Sequence, residues 1–456
     1  MSNEAFITYI AQPGGSLSGN IRVPGDKSIS HRSIMLGSLS EGKTTIKGFL
    51  QGEDSLATLK AFKAMGVHIE GPDEQGQVII HGVGMHGLEK PKTELDLGNS
   101  GTSMRLLTGL LASQSFDLTL SGDHSLSSRP MKRVTDPVMQ MGAIIETMDN
   151  GTAPLKINSN ASSQLNAIEY TLPMASAQVK SCVLLAGLYA QGKTCVTEPA
   201  PTRDHTERML QGFGYQLEVE KLDEQRSRIC LQGGGKLTAC DIDVPADISS
   251  SAFFMVGASI AEGSDLTLQH VGINPTRIGI INILQKMGAN IALSNEKVVG
   301  GEPVADIRIR SAQLKGIHIP EGQVPLAIDE FPAISIAAAC AQGQTILTGA
   351  EELRVKESDR IQAMIDGLLI LGIDCEGTAD GMIINGGQLT SGTVDSLGDH
   401  RIAMSFAMAA LRSSGKINIL DCANVNTSFP GFVKLAKSCG LDVSSEETDK
   451  TPGDEA

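Results

Sequence analysis

The sequence predicts an α/β protein of two domains, each built from three copies of one structural repeat. Two patterns, each recurring six times along the 456 residues, support this prediction. In the first, a helix-like run ends at a glycine and leads into a β-like segment, as expected where a left-handed glycine ends a helix. The glycines of the six copies are Gly66, Gly142, Gly214, Gly288, Gly372 and Gly440.

The second pattern is a small or acidic turn that opens an apolar helix, and it recurs in the same register as the first. The two patterns together predict at least two helices per repeat, with β-segments between and after them. The opening helices are apolar nearly all round, so they should be buried. The six openings are marked by Ser28, Thr102, Ser176, Ser249, Glu330 and Asp399.

The length suits two domains of about 200 residues each, and the Gly-rich segment near 233–247 marks the expected boundary between them. If the domains face each other, the positive ends of the six opening helices converge on the cleft and attract anions. This arrangement predicts a site for small anionic substrates.

Composition and charge argue against several other classes of function. The net charge of −15 disfavours nucleic acid and anionic membranes as partners, and an aromatic content of 3% disfavours base stacking. The sequence contains no stretch of 18 uncharged apolar residues, so it predicts no membrane span, and the first residues do not resemble a signal peptide. The eight cysteines form no C-x-x-C pair, so we expect reduced thiols in a cytoplasmic protein with no metal site and no organic cofactor.

The helix openings of the first half, with the loops beside them, concentrate basic and hydroxyl side chains that suit an anion site. Helix capping and solvated charge are the alternative reading of each motif taken alone. A glycine at such an opening would let a ligand approach the backbone, and an arginine before proline is held extended. The candidates are Lys27, Ser28, Arg32, Gly101, Arg129, Ser176, Ala177, Gln178 and Arg203.

In the second half, paired acids and the densest run of charges precede apolar helices. Asp329 and Glu330 could be a helix cap or a general base raised into a cleft. The run Arg354–Arg360 could be a solvated turn or part of a site. The candidates in this half are Asp329, Lys356, Glu357, Arg360 and Arg401.

Taken in order, these motifs resemble those of the 5-enolpyruvylshikimate-3-phosphate synthase family over roughly residues 15–440. Three of them, TRDHTE, SAQ and DEFP, look more like the bacterial class II branch. The motifs are VPGDKSISHR, GNSGTSMRL, SRPM, MASAQVKS, TRDHTE, IDEFP, RVKESDR and GDHRIAMS.

The resemblance implies an inside-out α/β barrel of two domains with the enolpyruvyl transferase fold, each domain holding three βαβαββ repeats. The implied domains are 21–242, with the phosphoshikimate motifs, and 1–20 together with 243–456, with the acid–base and phosphoenolpyruvate motifs. Residues from about 444 are acidic and poor in hydrophobic side chains, so we expect a flexible tail there.

The family's reaction transfers the enolpyruvyl group of phosphoenolpyruvate to the 5-hydroxyl of shikimate 3-phosphate and releases phosphate, on the route to chorismate and the aromatic amino acids. The implied partners are therefore small molecules. The resemblance also implies a monomer and a target of glyphosate. Added bulk at Gly101 is associated with glyphosate tolerance in the family.

Site roles follow from the matching motif positions. The positions implied to bind shikimate 3-phosphate are Lys27, Ser28, Arg32, Ser176, Ala177, Gln178, Arg203, Asp329 and Lys356. Those implied to bind phosphoenolpyruvate are Lys27, Gly101, Arg129, Gln178, Arg360 and Arg401.

The acid–base candidates are Asp329, Glu357 and Lys27. We assign Asp329 as the base toward the 5-hydroxyl, and Glu357 as the group that protonates and later deprotonates C3 of the enolpyruvyl group. Glu357 would need a raised pKa, which exclusion of water and nearby carboxylates could supply.

Two departures bear on the site. Ala177 stands where class I enzymes have a second serine, and Asn426 to Pro430 lacks the lysine that those enzymes place before a Phe-Pro pair. The alternative function is enolpyruvyl transfer to UDP-N-acetylglucosamine, but that family uses a cysteine of the first domain and this chain has none before Cys182. A non-enzymatic repeat scaffold would explain the period but not the differing charged openings.

Overall fold

The computed structural model describes residues 6–159, 164–223 and 225–448. Its internal contacts divide the chain into two compact units. The N-terminal unit comprises Gly25–Pro245 and Val298–Glu302. Among the described residues, the C-terminal unit comprises 6–24, 246–297 and 303–448.

All six predicted opening helices are present, and buried residues occupy most of each one. Five of them begin with a side chain that accepts a hydrogen bond from a backbone N–H of the first turn, at Asp26, Ser100, Ser176, Asp247 and Asp399. Such caps satisfy N–H groups that the helix leaves without a partner. The helices are Lys27–Leu39, Gly101–Leu111, Ala177–Gly187, Ile248–Ile260, Phe331–Ala339 and His400–Ala409.

A second helix follows in each repeat and ends just before the predicted glycine. All six glycines have positive φ, from 81° at Gly214 to 121° at Gly440, which confirms the left-handed helix ends. These helices are Glu53–Ala64, Lys132–Gln140, His205–Gly212, Gly279–Lys286, Arg360–Ile370 and Phe432–Cys439. Shorter helical turns are His124–Ser128, Val425–Ser428, Glu321–Gln323, Glu351–Val355 and Ala410–Arg412.

The three main sheets of the N-terminal unit share one order, in which a parallel pair at one edge is followed by two antiparallel pairs. In the second and third sheets that order follows from a βαβαββ path of the chain, whereas in the first sheet the parallel edge strands come from the end of the unit. In sheet order the strands are Leu237–Thr238 and Ile242–Asp243 (both beside the next), Ser40–Lys47, Val78–Val83, His68–Glu70; Leu95–Asp96, Leu118–Ser121, Leu155–Asn158, Ile144–Glu146; and Glu169–Thr171, Lys193–Glu198, Ser227–Gln232, Leu217–Lys221. Leu165–Asn166 and Ala190–Gln191 form a further short pair.

The C-terminal unit is completed by strands from the beginning of the chain. Phe6–Ala11 lies inside the last sheet and Ser18–Ile21 at the edge of another. In sheet order the strands are Ser18–Ile21, Asp265–Gly272, Glu302–Arg310, Asn290–Val299; Gln344–Leu347, Met382–Asn385, Cys375–Gly377; and Gly392–Asp395, Ile417–Leu420, Phe6–Ala11, Val443–Thr448.

The expectation of a flexible tail from residue 444 was wrong as far as Thr448. Val443–Thr448 is an antiparallel strand whose register with Phe6–Ala11 runs without a break, Phe6 opposite Thr448 and Ala11 opposite Val443. The backbone supplies these hydrogen bonds, so an edge strand with polar side chains can still form. The rest of the expected tail, from 449 onward, lies outside the described residues.

The expectation that every cysteine is a reduced thiol was also wrong. Cys195 and Cys230 form a disulfide. They lie directly opposite each other on the antiparallel strands Lys193–Glu198 and Ser227–Gln232, with Cα atoms 4.1 Å apart. Strand register, and not sequence spacing, brings them together, and for this reason the absence of C-x-x-C could not exclude the pair.

Each unit has its own hydrophobic core. In the C-terminal unit the opening helices Ile248–Ile260, Phe331–Ala339 and His400–Ala409 pack on one another. Among the described residues, no helix combines the length and the apolar character that crossing a membrane requires.

A buried histidine in the first opening helix makes the stability of the N-terminal unit depend on pH. His31 is fully buried, and its Nδ1 lies 2.7 Å from Thr58 Oγ1. Burial lowers the pKa of His31 to about 3; the Asp54 charge opposes this shift, and the Lys27 and Arg32 charges add to it. A lowered pKa in the folded state means that the stabilisation is complete above the ordinary value of 6.5 and is lost as the pH falls.

We therefore expect the free energy of unfolding to fall by about 2 kcal/mol between pH 6.5 and pH 5 because of His31 alone. The variant His31→Gln cannot take up the proton and should lose that share of the pH dependence. Denaturant unfolding of both proteins at several pH values measures the difference. Equal slopes in the two proteins would mean that His31 is not responsible.

Candidate active site

In the N-terminal unit, Arg32 lies inside the protein with all its nitrogens engaged. Its side chain is 5% exposed, and it donates from Nε to Thr206 Oγ1 at 2.7 Å and from Nη2 to Ser181 Oγ at 2.8 Å. Nη1 donates to the carbonyl of Ser28 at 3.0 Å. Burial lowers the pKa of Arg32 to about 10, which leaves it charged at neutral pH. Arg32 thus ties the start of its helix to Ser181 and Thr206.

Lys27 and Ser28 occupy the first turn of the same helix and are partly exposed. The Lys27 ammonium forms an ion pair with Asp54, and 28% of its side chain is open to solvent. A cation and a hydroxyl in the first turn add to the positive end of the helix dipole. The arrangement suits the binding of an anion.

A second group joins the openings of two helices. Arg129 is extended, as expected before a proline, and its Nη2 donates to Asn99 Oδ1 at 2.6 Å. Gly101 is the first residue of its helix, and a Cβ built there would lie 3.2 Å from Arg129 Nη1. Glycine therefore leaves space beside two guanidinium groups, because Arg105 Nη1 lies 3.5 Å from the same point.

Gln178 connects the third opening helix to this group. Its Oε1 accepts from Arg105 Nη1 at 2.6 Å, and its Nε2 donates to Thr102 Oγ1 at 3.1 Å. Ser176 caps the same helix through its Oγ, and Ala177 is the first helical residue. The structure thus brings Gly101, Arg129 and Gln178 together through Arg105.

Arg203 lies in the loop before the helix His205–Gly212 and is partly buried. Its charge lowers the pKa of Arg32, so the two guanidinium groups are electrostatic neighbours.

In the C-terminal unit, Arg360 is the centre of a cluster of carboxylates. The guanidinium is 1% exposed, and it donates to Asp399 Oδ2 from Nε at 2.7 Å and to Glu357 Oε2 from Nη2 at 2.6 Å. Asp329 Oδ1 lies 3.3 Å from Nη1. One buried cation therefore holds three acids from three segments of the chain.

Asp329 also faces Lys356 and Arg401. Lys356 Nζ lies 3.5 Å from Asp329 Oδ1 and 2.6 Å from Glu352 Oε1. Arg401 donates from Nη1 to the Asp329 carbonyl at 2.9 Å, and its Nη2 lies 4.0 Å from Asp329 Oδ2. All five candidates of the second half, Asp329, Lys356, Glu357, Arg360 and Arg401, thus belong to one cluster, which the solvated-turn reading does not explain.

The expectation of a raised pKa for Glu357 was wrong for this structure. Burial raises the pKa, but the Arg360, His400 and Lys356 charges outweigh burial and the repulsion from Asp329, so the pKa of Glu357 lies well below its usual range. The 2.6 Å contact with Arg360 is the physical reason. Glu357 is therefore an ionised carboxylate at neutral pH, and 37% of its side chain is exposed.

Three further residues of these clusters were not among the predicted site residues. Arg105 lies one turn after Gly101, donates to Gln178 and lies beside Gly101 itself. Asp399 is the buried cap of its helix and the closest acid to Arg360 Nε. His400 acts on the pKa of both Glu357 and Asp399. Their presence in the motifs GNSGTSMRL and GDHRIAMS was the available signal.

Lys180, in the third opening helix, is a charged residue buried inside the protein. It belongs to the motif MASAQVKS, is 1% exposed and pairs with Glu207 at 2.6 Å and Glu198 at 3.0 Å. The pair partners outweigh burial and raise its pKa. The third opening helix is thereby fixed to the helix His205–Gly212.

Residues 11–435 match the family described as EPSP synthase (3-phosphoshikimate 1-carboxyvinyltransferase). Among curated relatives, the chain is 66% identical to the 3-phosphoshikimate 1-carboxyvinyltransferase of Methylococcus capsulatus, over 96% of this chain and 98% of that protein. It is 64% identical to the protein of that name from Hydrogenovibrio crunogenus, over 98% of this chain and all of that one.

Two solved structures are similar to the whole chain. The EPSP synthase of Acinetobacter baumannii superimposes with a TM-score of 0.88 at 58% identity and covers 97% of this chain and 100% of its own. The enolpyruvyl transferase NikO from Streptomyces tendae, at 15% identity, superimposes with a TM-score of 0.78, covers the same shares of the two chains and therefore shares the fold alone. The predicted enolpyruvyl transferase fold is confirmed.

Proposed function

The chain belongs to the EPSP synthase (3-phosphoshikimate 1-carboxyvinyltransferase) family, and from that premise we infer that it is an enzyme of the shikimate pathway. It transfers the enolpyruvyl group of phosphoenolpyruvate to the 5-hydroxyl of shikimate 3-phosphate, releases phosphate and so serves aromatic amino acid biosynthesis. The observation that carries this conclusion is the 66% identity over almost the full length of both chains. The alternative acceptor, UDP-N-acetylglucosamine, has no support from these relatives.

We propose that shikimate 3-phosphate binds to the openings of the first and third helices. Lys27, Ser28, Ser176, Gln178 and Arg203 supply charge and hydrogen-bond donors there, and Ala177 leaves a methyl group in place of a hydroxyl. The contacts of Arg32 with Ser28, Ser181 and Thr206 support a role in positioning the first helix turn. Asp329 and Lys356 are assigned to the hydroxyl groups of the same substrate.

Phosphoenolpyruvate is assigned to the guanidinium groups beside Gly101 and to the cations of the second cluster. Arg129 and Gln178 are held by neighbours in fixed directions, and Lys27 adds a third cationic or polar group. Arg360 and Arg401 offer planar donors that suit a carboxylate or a phosphate.

The reaction needs two proton transfers at C3 of the enolpyruvyl group, first onto the carbon and later away from it. The 5-hydroxyl gives its proton to a base, assigned to Asp329, as its oxygen bonds to C2, and C3 gains a proton. The tetrahedral intermediate then loses phosphate from C2 and a proton from C3, so that the double bond forms again. Glu357 is assigned to both steps at C3, with Lys27 as the remaining acid–base candidate.

The low pKa of Glu357 sets a condition on this assignment. A substrate anion that binds Arg360 competes with the carboxylate of Glu357 for the guanidinium and adds a negative charge nearby. Both effects raise the pKa of Glu357 toward the range in which it can donate a proton. The ion pair is thus a resting arrangement that the substrate would replace.

The variant Gly101→Ala tests the assignment of phosphoenolpyruvate to its pocket. Its Cβ would lie 3.2 Å from Arg129 Nη1, closer than ordinary van der Waals contact, and would displace the guanidinium. We expect the KM for phosphoenolpyruvate to rise about tenfold, a change of about 1.4 kcal/mol in binding, with little change in the KM for shikimate 3-phosphate. Steady-state kinetics with each substrate varied in turn measures this, and equal changes in both KM values would contradict the assignment.

Release of phosphate from phosphoenolpyruvate in the presence of each acceptor tests the activity itself. We expect release with shikimate 3-phosphate and none with UDP-N-acetylglucosamine. Release with only the second acceptor would overturn the proposed function.

We also propose that the enzyme acts in the cytoplasm as a monomer. Light scattering of the purified chain at micromolar concentration should give a mass near 48 kDa, and a dimer mass would contradict the monomer.

A further inference from the structure

Two histidines and a glutamate lie together on the exposed face of the first sheet. His68 and His81 are directly opposite each other on the antiparallel strands His68–Glu70 and Val78–Val83. Glu70, two residues after His68, points to the same face, whereas Ile69 between them is buried. The strand alternation therefore places all three side chains on the solvent side.

The ligand atoms of the three side chains are close enough to share one ion. His81 Nε2 lies 2.9 Å from Glu70 Oε1, and His68 Nε2 lies 3.6 Å from the same oxygen. All three ligand atoms lie within 4.8 Å of one another. Bonds of about 2.1 Å in a tetrahedron separate ligand atoms by about 3.4 Å, so small rotations of exposed side chains suffice to complete the geometry.

We propose that His68, Glu70 and His81 bind a divalent first-row transition-metal ion. Two imidazole nitrogens and one carboxylate oxygen are a ligand set that suits zinc, copper or nickel, whereas magnesium and calcium prefer oxygen alone. The side chains are 71%, 52% and 45% exposed for His68, Glu70 and His81, so water completes the coordination. The proposed site differs from the expectation of no metal site and does not depend on the enolpyruvyl transfer.

The surroundings set the strength and the pH dependence of this site. Lys43 lies opposite His81 on the other neighbouring strand, and its positive charge repels the metal ion. The hydrogen bond from His81 lowers the pKa of Glu70, so the carboxylate is ionised at neutral pH. Each imidazole must bind the ion through a nitrogen that carries no proton, so protons compete with the metal and binding weakens as the pH falls.

Zinc titration of the full-length chain, without an affinity tag and in phosphate-free buffer, tests the proposal. A chromophoric chelator reports the affinity, and accessible thiols such as the partly exposed Cys240 are first alkylated. We expect one ion per chain, and at least about tenfold weaker binding for His81→Ala and for Glu70→Gln. The matched control His318→Ala removes an exposed histidine outside the cluster and should bind as the wild type does.

Copper(II) supplies a second readout that does not depend on affinity. Its electron paramagnetic resonance spectrum should show coupling to two nitrogens in the wild type and to one in His81→Ala, with phosphate release unchanged in both proteins. Absence of zinc binding, or equal affinity and equal nitrogen coupling in wild type and His81→Ala, would overturn the site.

Discussion

Replacement of Glu357 by glutamine is expected to lower kcat on the order of a thousandfold, the usual contribution of a general acid–base group. Glutamine keeps the size of the side chain and can still accept a hydrogen bond from Arg360. It cannot exchange a proton with C3 of the enolpyruvyl group. The KM values for both substrates should therefore change less than kcat does.

Isotope exchange distinguishes the loss of proton transfer from a general disturbance of the site. In D2O, a methylene that gains a deuteron at C3 and then loses a proton leaves deuterium in the product. We expect mass spectrometry to find this label in the product of the wild type. Glu357→Gln should have no faster way to deliver a deuteron to C3. Its residual product and the deuterium label should therefore appear at the same reduced rate.

The matched control is Glu351→Gln, an exposed glutamate in the preceding turn Glu351–Val355. It should leave kcat within about a factor of two of the wild type, because exposed charges outside a site contribute little. Normal turnover by Glu357→Gln would remove Glu357 from the proposed mechanism. The same loss in both variants would point to misfolding of this turn.

The repeats of the fold could be predicted from the sequence because each depends on local chemistry. A glycine after a helix has a conformational reason to be there, and so does a polar cap before an apolar run. These local rules correctly placed the helix after Asp399 and the left-handed turn at Gly440. Resemblance of motifs then supplied the connection to a family.

What could not be predicted depends on contacts that the local sequence does not specify. The disulfide of Cys195 and Cys230 requires the register of two strands, and the strand after Val443 requires a partner from the first residues of the chain. The pKa of Glu357 follows from an ion pair with Arg360, three residues later, whose rotamer the sequence does not specify. Burial of Lys180 between two glutamates is of the same kind.

Replacement of Arg360 by methionine is expected to destabilise the C-terminal unit by about 3–5 kcal/mol, the cost of leaving a buried charge without its partner. Asp399 is 0% exposed and loses its charge-assisted hydrogen bond from Arg360 Nε. Glu357 and Asp329 lose the same cation. Methionine replaces the aliphatic part of the arginine side chain, so the change reports mainly the loss of the guanidinium, and activity should be lost as well.

Denaturant unfolding measures this effect, and a second substitution tests its cause. Asn can still cap the helix at position 399, so Arg360→Met combined with Asp399→Asn should recover at least about 1 kcal/mol relative to Arg360→Met alone. The control Arg308→Met removes a half-exposed cation that pairs with Asp265, and its unfolding midpoint should stay close to that of the wild type. Unfolding of Arg360→Met at the wild-type denaturant concentration would contradict the argument.

The pH dependence of unfolding gives an independent test of the same ion pair. Burial raises the pKa of Asp399, but Arg360 and His400 outweigh burial and hold it below its ordinary value of 3.8. A lowered pKa means that Asp399 stabilises the fold above pH 3.8 and loses this effect as the pH falls further. Without Arg360, burial dominates and raises the pKa of Asp399, so Arg360→Met should unfold in acid at a higher pH than the wild type. An unchanged acid transition would mean that the Arg360–Asp399 pair does not contribute to stability.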